Sequence, residues 1–285
     1  MAYSTQRIKR VAAVHDISGI GRCALSAIFP TMSALGLQVC AVPTAILSTQ
    51  TDGFDHFTFR DLTEDIKPIF AHWRTNGVEL DCIYTGFLGS EKQVEILREV
   101  LDSEVNAFKV VDPVLGDEGA LYSTITEDMG SMMKDLCAKA DMITPNLTEC
   151  AYLLGVPYEE REFSVDELHC YLQALCSLGP SIAVLTGVMM ADERLMNCAY
   201  DRINNTYAEA TCERLKKSYP GTGDTFTAVL TGLLLLGYSL ERALQLATSY
   251  LSTTIALTIQ MDTPVREGIA IERTLPMLLE LSKQD

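Results

Sequence analysis

The residues best suited to chemistry lie between Pro220 and Phe226, a run that reads Pro-Gly-Thr-Gly-Asp-Thr-Phe and precedes an apolar helical pattern. Glycines let backbone N–H groups turn toward a ligand, and a helix N-terminus adds partial positive charge, so Gly221, Thr222 and Gly223 suit an anion. Asp224 would lie in the first turn beside that anion, where a carboxylate suits a base that takes a proton from a hydroxyl group. The alternative interpretation is that Thr222 or Asp224 caps the helix and that the glycines form a turn.

Two further segments place oxygen ligands at the ends of predicted strands. Asp112 opens the segment Asp-Pro-Val-Leu-Gly-Asp, whose acidic side chains could hold a cation or a metal-bound water beside phosphates. Asn146 and Glu149 share the first turn of a predicted helix, where they could orient water on Mg²⁺. The simpler interpretation is a polar turn for the first segment and a capping box for the second.

A fourth segment, His15 to Gly21, follows the first predicted strand and reads His-Asp-Ile-Ser-Gly-Ile-Gly. Its polar side chains and its close backbone approach would suit a small polar substrate. A tight turn between strand and helix, with Ser18 and the glycines serving geometry, is the alternative interpretation.

These segments need a scaffold, and short apolar runs that alternate with helical patterns predict a mainly parallel sheet with helices on both faces. The predicted strands are 10–15, 38–47, 80–84, 108–112, 141–144 and 181–186, followed by a hairpin of 195–202 and 206–212. The predicted helices are 22–35, 61–76, 90–103, 126–140, 146–154, 164–178, 223–236, 239–259 and 271–282. Capping boxes are expected at Asp61 with Glu64 and at Ser164 with Glu167. Ligands collect beyond the carboxyl ends of parallel strands, which is where most of the polar segments fall.

Composition narrows the class of protein. The chain has 285 residues and 48% hydrophobic content, which predicts one domain spanning 1–285. A formal net charge of −16 argues against nucleic acid and anionic membranes as partners. The 9 cysteines form no Cys-x-x-Cys pair, and the first ten positions contain no long apolar run, so a cytoplasmic protein with free thiols is expected.

Taken together and in order, these segments resemble the ribokinase-like superfamily and, within it, the pyridoxal/pyridoxine/pyridoxamine kinase branch. The resemblance extends from about residue 10 to about residue 259, and its motifs are Gly86-Phe87-Leu88-Gly89-Ser90, Asp112-Pro113-Val114-Leu115-Gly116-Asp117, Gly119-Ala120-Leu121-Tyr122, Thr144-Pro145-Asn146-Leu147-Thr148-Glu149 and Gly221-Thr222-Gly223-Asp224. It implies a three-layer α/β/α sandwich, usually a homodimer. It also implies ATP as phosphoryl donor, with Mg²⁺ and often a monovalent cation such as K⁺.

The resemblance also implies roles by position. Asp224 is expected to be the base for the hydroxymethyl group of the substrate, and Thr186 a phosphate contact. The anion hole is expected to consist of Gly221, Thr222 and Gly223. The metal-and-water shell is expected to consist of Asp112, Asn146 and Glu149. The loop from Asp117 to Tyr122 is expected to close over the phosphates.

On the substrate side, the expected contacts are His15, Asp16, Ser18, Gly19, Thr49 and Phe87. Val14 stands where many members of the branch carry serine, and Phe87 stands where the branch often has tyrosine. The segment that begins at His15 is also similar in part to hydroxymethylpyrimidine kinase. That enzyme is therefore the second candidate, and a sugar kinase is the third.

A different class remains open, namely a non-catalytic nucleotide- or metabolite-binding protein on the same scaffold. The intact Asp224 beside its glycines, together with Asn146 and Glu149, argues against it.

Overall fold

The computed structural model describes residues 7–122 and 125–283, so the two ends of the predicted 1–285 domain and positions 123–124 lie outside the described residues. The strands are β1 Arg10–Ser18, β2 Gln38–Leu47, β3 Phe59–Asp61, β4 Cys82–Thr85, β5 Phe108–Val111, β6 Gly116–Asp117, β7 Ala120–Leu121, β8 Met142–Ile143, β9 Ile182–Met189, β10 Arg194–Asp201 and β11 Thr206–Glu213. The helices are α1 Ala24–Ala34, α2 Thr63–Thr75, α3 Glu91–Ser103, α4 Glu127–Cys137, α5 Leu147–Leu154, α6 Val165–Ser177, α7 Thr222–Leu235, α8 Leu240–Gln260 and α9 Leu275–Leu281. Two short 3-10 helices are Val265–Glu267 and Ile271–Arg273.

The strands form one large sheet in the order β11-β10-β9-β8-β5-β4-β1-β2-β3. Every pair from β2 to β9 is parallel, whereas β3 at one edge and the β10–β11 hairpin at the other are antiparallel. The predicted mainly parallel sheet is confirmed. A separate two-stranded hairpin, β6–β7, lies outside it.

Side chains on the two faces of the sheet enter two different cores. In β1, Ala12 and Val14 join the core under α2 to α6, whereas Val11 and Ala13 join the core under α1, α7, α8 and α9. Because successive side chains of a strand point to opposite faces, an uninterrupted apolar strand needs helices on both sides. The predicted three-layer α/β/α sandwich is confirmed. Within the described residues, no helix has the combination of length and apolar character that crossing a membrane would require.

Strand β1 is longer than its sequence predicted. It continues to Ser18, so His15, Asp16 and Ser18 lie within the strand and not in a turn after it. The pairing with β2 shifts register between His15 and Ile17, which indicates a local bulge. Bulges of this kind redirect side chains near functional sites.

Two local predictions are wrong. The capping box of Asp61 and Glu64 does not form, because Asp61 is extended in β3 and pairs with β2, so that α2 begins only at Thr63 without a side-chain cap. The predicted helix 271–282 is a 3-10 turn followed by α9, since Pro276 near the start of α9 lacks the N–H group that a continuous helix requires. The capping box of Ser164 and Glu167 is confirmed.

Candidate active site

The polar segments meet where the parallel strands end. Asp112 directly follows β5, and Asn146, which lies beyond β8, forms an isolated bridge with Thr186 of β9. Thr227 Oγ1 on α7 lies 3.3 Å from Asp112 Oδ2 and 3.1 Å from Thr144 Oγ1, so its one hydroxyl hydrogen can be donated to either oxygen. The structure therefore brings three of the sequence-predicted segments together at the carboxyl ends of the parallel strands.

The start of α7 is shaped by close backbone packing. Gly221 has a φ of +79°, and a Cβ there would lie 2.0 Å from the carbonyl oxygen of Arg22, so only glycine fits. The Thr222 hydroxyl donates to the Tyr219 carbonyl at 3.2 Å, and no side chain caps this helix among the described residues. The interpretation in which Thr222 or Asp224 merely caps α7 is therefore wrong.

The uncapped helix start faces open space. The first N–H groups of a helix have no intrahelical acceptor. A Cβ built on Gly223 would meet no heavy atom within 4 Å. Backbone N–H groups with positive partial charge, next to free space, are what an anion site at a helix N-terminus requires. The anion-hole role of Gly221, Thr222 and Gly223 stays a prediction, and the local geometry suits it.

Both carboxylate oxygens of Asp224 are held by neighbouring groups. Its Oδ1 lies 2.9 Å from Nε2 of His15, and its Oδ2 accepts the backbone N–H of Ala24 at 2.7 Å. Ala24 has a φ of 51°, an uncommon conformation for a residue other than glycine. The Asp224 side chain keeps 13% of its surface exposed. The Asp224 carboxylate is thus oriented by two partners and is still accessible from the carboxyl ends of the parallel strands.

His15 lies between two carboxylates. Its Nδ1 is 2.9 Å from Asp16 Oδ1, its Nε2 is 2.9 Å from Asp224 Oδ1, and its side chain is only 4% exposed. A Cβ on Gly86 would lie 2.2 Å from the His15 ring. Glycine at position 86 is therefore required for the ring to pack against the end of β4.

The charges around His15 and Asp224 favour an ion pair between these two residues. Burial lowers the pKa of His15, but the neighbouring charges of Asp224 and Asp16 and their hydrogen bonds outweigh burial and raise it to about 10. Burial raises the pKa of Asp224, but the charge and hydrogen bond of His15 and the Ala24 N–H outweigh it and bring the pKa below its usual value. At neutral pH, Asp224 is ionised and His15 is protonated.

Asn146 and Glu149 form the capping box that the sequence favoured. Asn146 Oδ1 accepts the Glu149 N–H at 2.9 Å, and Glu149 Oε2 accepts the Asn146 N–H at 2.9 Å. Glu149 Oε1 also accepts the N–H of Leu115 at 3.0 Å, and the Asn146 side-chain amide donates to the Gly116 carbonyl at 2.8 Å. The box therefore fastens the Asp112–Asp117 segment to the start of α5.

Asp112 and Glu149 supply carboxylate oxygens of the kind that Mg²⁺ binds, and water and phosphate oxygens would complete its coordination. Burial, followed by the charge of Asp224, raises the pKa of Asp112, and burial, followed by the charge of Asp112, raises that of Glu149. A cation would relieve this repulsion. No group of three or more His, Cys, Asp or Glu within residues 7–122 and 125–283 is arranged to hold a metal by itself. Mg²⁺ commonly uses one or two carboxylates and takes its other ligands from water and phosphate, so these residues fit it in that manner.

On the substrate side, the polar groups of β1 bond mainly to one another. Asp16 Oδ2 accepts the Ser18 hydroxyl at 3.1 Å, and the Gly19 N–H donates to the Leu47 carbonyl at 2.9 Å. Thr49 Oγ1 is buried and has no hydrogen-bond partner in the described part of the chain. Phe87 is half-buried beyond β4. Thr49 is consequently the residue of this group whose hydroxyl is most in need of a ligand partner.

The predicted closing loop is a β-hairpin above α5. Glu118 and Gly119 between β6 and β7 have φ values of 48° and 80°, as in the primed turns that suit hairpins. The Gly119 N–H donates to Thr148 Oγ1 at 2.9 Å. Asp117, which adjoins the turn, and Tyr122, which follows β7, are both exposed. Its closing over phosphates stays a prediction.

The sequence did not predict four contributors to the site, namely Ala24, Tyr84, Gly86 and Thr227. The Tyr84 hydroxyl lies 3.5 Å from the Asp224 carbonyl, which puts it next to the first turn of α7. Thr227 follows Asp224 by three positions, and this spacing was an available signal that the two residues share one side of α7. The other three contribute through backbone or through tertiary contacts that local patterns do not encode.

The fold and this site define a kinase of the ribokinase-like class. The family model for phosphomethylpyrimidine kinase matches residues 25–267, and the chain belongs to that family. The resemblance read from the sequence motifs is thereby confirmed.

Individual relatives are consistent with this assignment. The pyridoxal kinase of Homo sapiens is 28% identical over 227 residues, which cover 72% of this chain and 70% of the human protein. The solved structure of pyridoxal kinase from Lactobacillus plantarum is 33% identical with a TM-score of 0.89, covering 97% of this chain and 99% of that one. A Bacteroides thetaiotaomicron protein assigned as a phosphomethylpyrimidine kinase, in a crystal form with pyridoxal, is 42% identical with a TM-score of 0.91, covering 95% and 96%. The chain lies in the pyridoxal kinase branch.

Proposed function

We propose that this protein transfers the γ-phosphoryl group of ATP to the 5'-hydroxymethyl group of a vitamin B6 vitamer, namely pyridoxal, pyridoxine or pyridoxamine. The observation that carries this proposal is the ionised Asp224, which is held beside an uncapped, glycine-lined helix start at the open edge of the sheet. Two similar structures support the choice of substrate, since one is a pyridoxal kinase and the other was crystallised with pyridoxal.

In the proposed mechanism, Asp224 accepts the proton of the substrate hydroxyl while the hydroxyl oxygen attacks the γ-phosphorus. The bond from that phosphorus to the bridging oxygen breaks, and ADP leaves. Each carboxylate oxygen has a second lone-pair direction, so Asp224 can receive this proton while it remains bonded to His15 and Ala24. The N–H groups at the start of α7 stabilise the charge that develops on the transferred group.

Asp112 would hold Mg²⁺, and Asn146 and Glu149 would orient its water ligands, so that the ion neutralises phosphate charge. Thr186 would contact the phosphates from β9, and the hairpin from Asp117 to Tyr122 would cover them. We include a monovalent cation such as K⁺ among the proposed cofactors.

Hydroxymethylpyrimidine kinase is the second candidate. The description of the family model favours it, and so does the Asp16-Ile17-Ser18-Gly19 run in and after β1. Both candidates use a hydroxymethyl group on a flat nitrogen heterocycle, so the phosphate side of the site serves either one.

ATP consumption measured in parallel with pyridoxal, pyridoxine, pyridoxamine, hydroxymethylpyrimidine and ribose tests the proposal. We expect the highest kcat/KM with a B6 vitamer, and the Asp224→Asn variant supplies the background rate. A preference for hydroxymethylpyrimidine would replace the proposal with the second candidate. ATP binding without turnover on any acceptor would indicate a non-catalytic nucleotide-binding protein.

We also propose that the chain acts as a homodimer in the cytoplasm. Two exposed apolar side chains lie side by side on one face of the sheet, since Ile17 of β1 pairs directly with Ile46 of β2. Phe59 in β3 is also exposed, but it pairs with Leu47 and therefore lies on the opposite face of the sheet from Ile46. Contiguous exposed apolar side chains of this kind mark interaction surfaces. Sedimentation equilibrium should give twice the chain mass, and Ile46→Glu should shift it toward the mass of one chain.

A further inference from the structure

His15 is a buried titratable group that the proposed mechanism does not use. The sequence indicated a contact with the substrate, but both ring nitrogens of His15 face carboxylates of the protein at 2.9 Å. The ring is held on a third side by the end of β4, where Gly86 leaves room for it. A side chain constrained this closely has little freedom to turn toward a ligand.

The contact with Asp224 requires a proton between the two groups. If Nε2 were unprotonated, its lone pair would face an ionised carboxylate oxygen at 2.9 Å, which is repulsive. The Phe87 N–H lies 3.3 Å from the same nitrogen, and donation from it would suit only such an unprotonated ring. The Asp16 N–H likewise lies 3.0 Å from Nδ1. Because each carboxylate oxygen is nearer, at 2.9 Å, the arrangement favours Nε2–H donating to Asp224 and Nδ1–H donating to Asp16.

We infer that His15, oriented by Asp16, is a positioning residue for Asp224, which it holds in a fixed orientation and keeps ionised for the substrate hydroxyl. This inference rests on the proposed function of Asp224 as the base. Ala24 fixes the second oxygen, so the carboxylate cannot rotate away when His15 is in place. Charge-assisted hydrogen bonds from an imidazolium are stronger than neutral ones, which suits a role in orientation.

Removal of His15 changes the balance of charges around Asp224. In the part of the chain that the structure describes, the titratable groups that face His15 and Asp224 from the neighbouring elements include no further cation. They are Asp16, Cys23, Tyr84, Asp112 and Tyr122. Without the imidazolium, burial still opposes ionisation of Asp224, and only the Ala24 N–H remains to favour it. In a plot of kcat against pH, the fall in activity on the acidic side should therefore move to higher pH in His15→Gln and His15→Ala.

A kinetic cycle tests whether His15 acts through Asp224. We expect His15→Ala to lower kcat by about 10²-fold, because a small misplacement of a reacting group costs that order. The KM for the acceptor should change less than kcat, and His15→Gln, which retains an N–H donor, should lose less activity. In an Asp224→Asn background, His15→Ala should cause no further loss. Full additivity, or a loss confined to KM, would mean that His15 contacts the substrate and would overturn the inference.

The protonation state of His15 gives a readout that does not need turnover. The chain has 4 histidines, so comparison with His15→Gln assigns the His15 signal in a ¹⁵N imidazole NMR spectrum. We expect an imidazolium signal to persist at about pH 8, well above the ordinary pKa of about 6.5, and to be lost at lower pH in Asp224→Asn. His72→Ala, at an exposed histidine on α2, serves as the matched control. An active wild-type enzyme with a neutral His15 at that pH would reject the inference alone, whereas a wild type inactive on every acceptor would reject the proposed function.

Discussion

Replacing Gly221 and Gly223 one at a time by alanine separates the packing of the α7 start from its contact with phosphate. The two positions are two residues apart and differ sharply in their surroundings. A Cβ at Gly221 would lie 2.0 Å from the Arg22 carbonyl oxygen and 2.8 Å from Cys23 Cα, whereas a Cβ at Gly223 would meet nothing within 4 Å. The pair is therefore a matched control for the same substitution.

The structure sets the expected magnitudes for Gly221→Ala. A left-handed backbone costs an alanine about 1–2 kcal/mol, and overpacking against backbone atoms costs about 1–3 kcal/mol. We expect the free energy of unfolding to fall by about 2–5 kcal/mol in total. At about 1.7 °C per kcal/mol for a chain of this length, Tm should fall by about 3–8 °C.

Gly223→Ala should behave in the opposite way. Alanine is favoured over glycine within a helix by about 0.5–1 kcal/mol, so Tm should stay the same or rise. The added methyl group would occupy the space next to the N–H groups, and we expect kcat/KM for ATP to fall by about 10²-fold, the usual cost of losing one such donor. Thermal melting and steady-state kinetics on both variants provide the measurements. Wild-type activity in Gly223→Ala would refute the placement of the phosphoryl group, and wild-type stability in Gly221→Ala would refute the packing argument.

Three further predictions concern the groups around Asp224. Asp224→Asn should lower kcat by about 10²–10⁴-fold while thermal melting remains cooperative, and a wild-type rate in this variant would disprove the role of the base. Gly86→Ala places a Cβ 2.2 Å from the His15 ring, so it should lower both Tm and kcat, whereas Gly89→Ala, whose nearest neighbour would be 3.6 Å away, should leave both near wild type. Because the pKa of His15 is raised to about 10 in the folded protein, His15 contributes fully to stability at pH values below its pKa in the unfolded chain, and this contribution is lost as pH rises toward 10. Urea unfolding midpoints should show this loss in wild type and a smaller one in His15→Gln.

Much of the fold follows from local patterns. Continuous apolar strands between helical periods predict a parallel sheet covered on both faces, and the structure has that sheet with its two cores. The prediction was wrong where a long-range pairing overrides a local preference. Asp61 and Glu64 have the spacing of a capping box, but the pairing of β3 with β2 extends the chain at Asp61 and displaces the start of α2.

The site divides in the same way. The glycines at the start of α7 and the capping box at Asn146 are local features, so their spacing along the chain was sufficient to predict them. The partner of Asp224 was not predictable, since His15 is 209 residues away in the chain and no spacing links the two. The need for glycine at position 86 likewise arises only when β4 lies beside β1.

The local sequence thus establishes the class of fold, the helix start that suits an anion, and the carboxylate next to it, because each depends on residues within one or two turns. Folding of the whole chain decides what that carboxylate touches. The bulge in β1, the glycine at the end of β4 and the backbone of Ala24 together determine that Asp224 is held by an imidazolium and an amide. Such contacts depend on the relative positions of separate elements, and those positions result from the packing of both cores against the sheet.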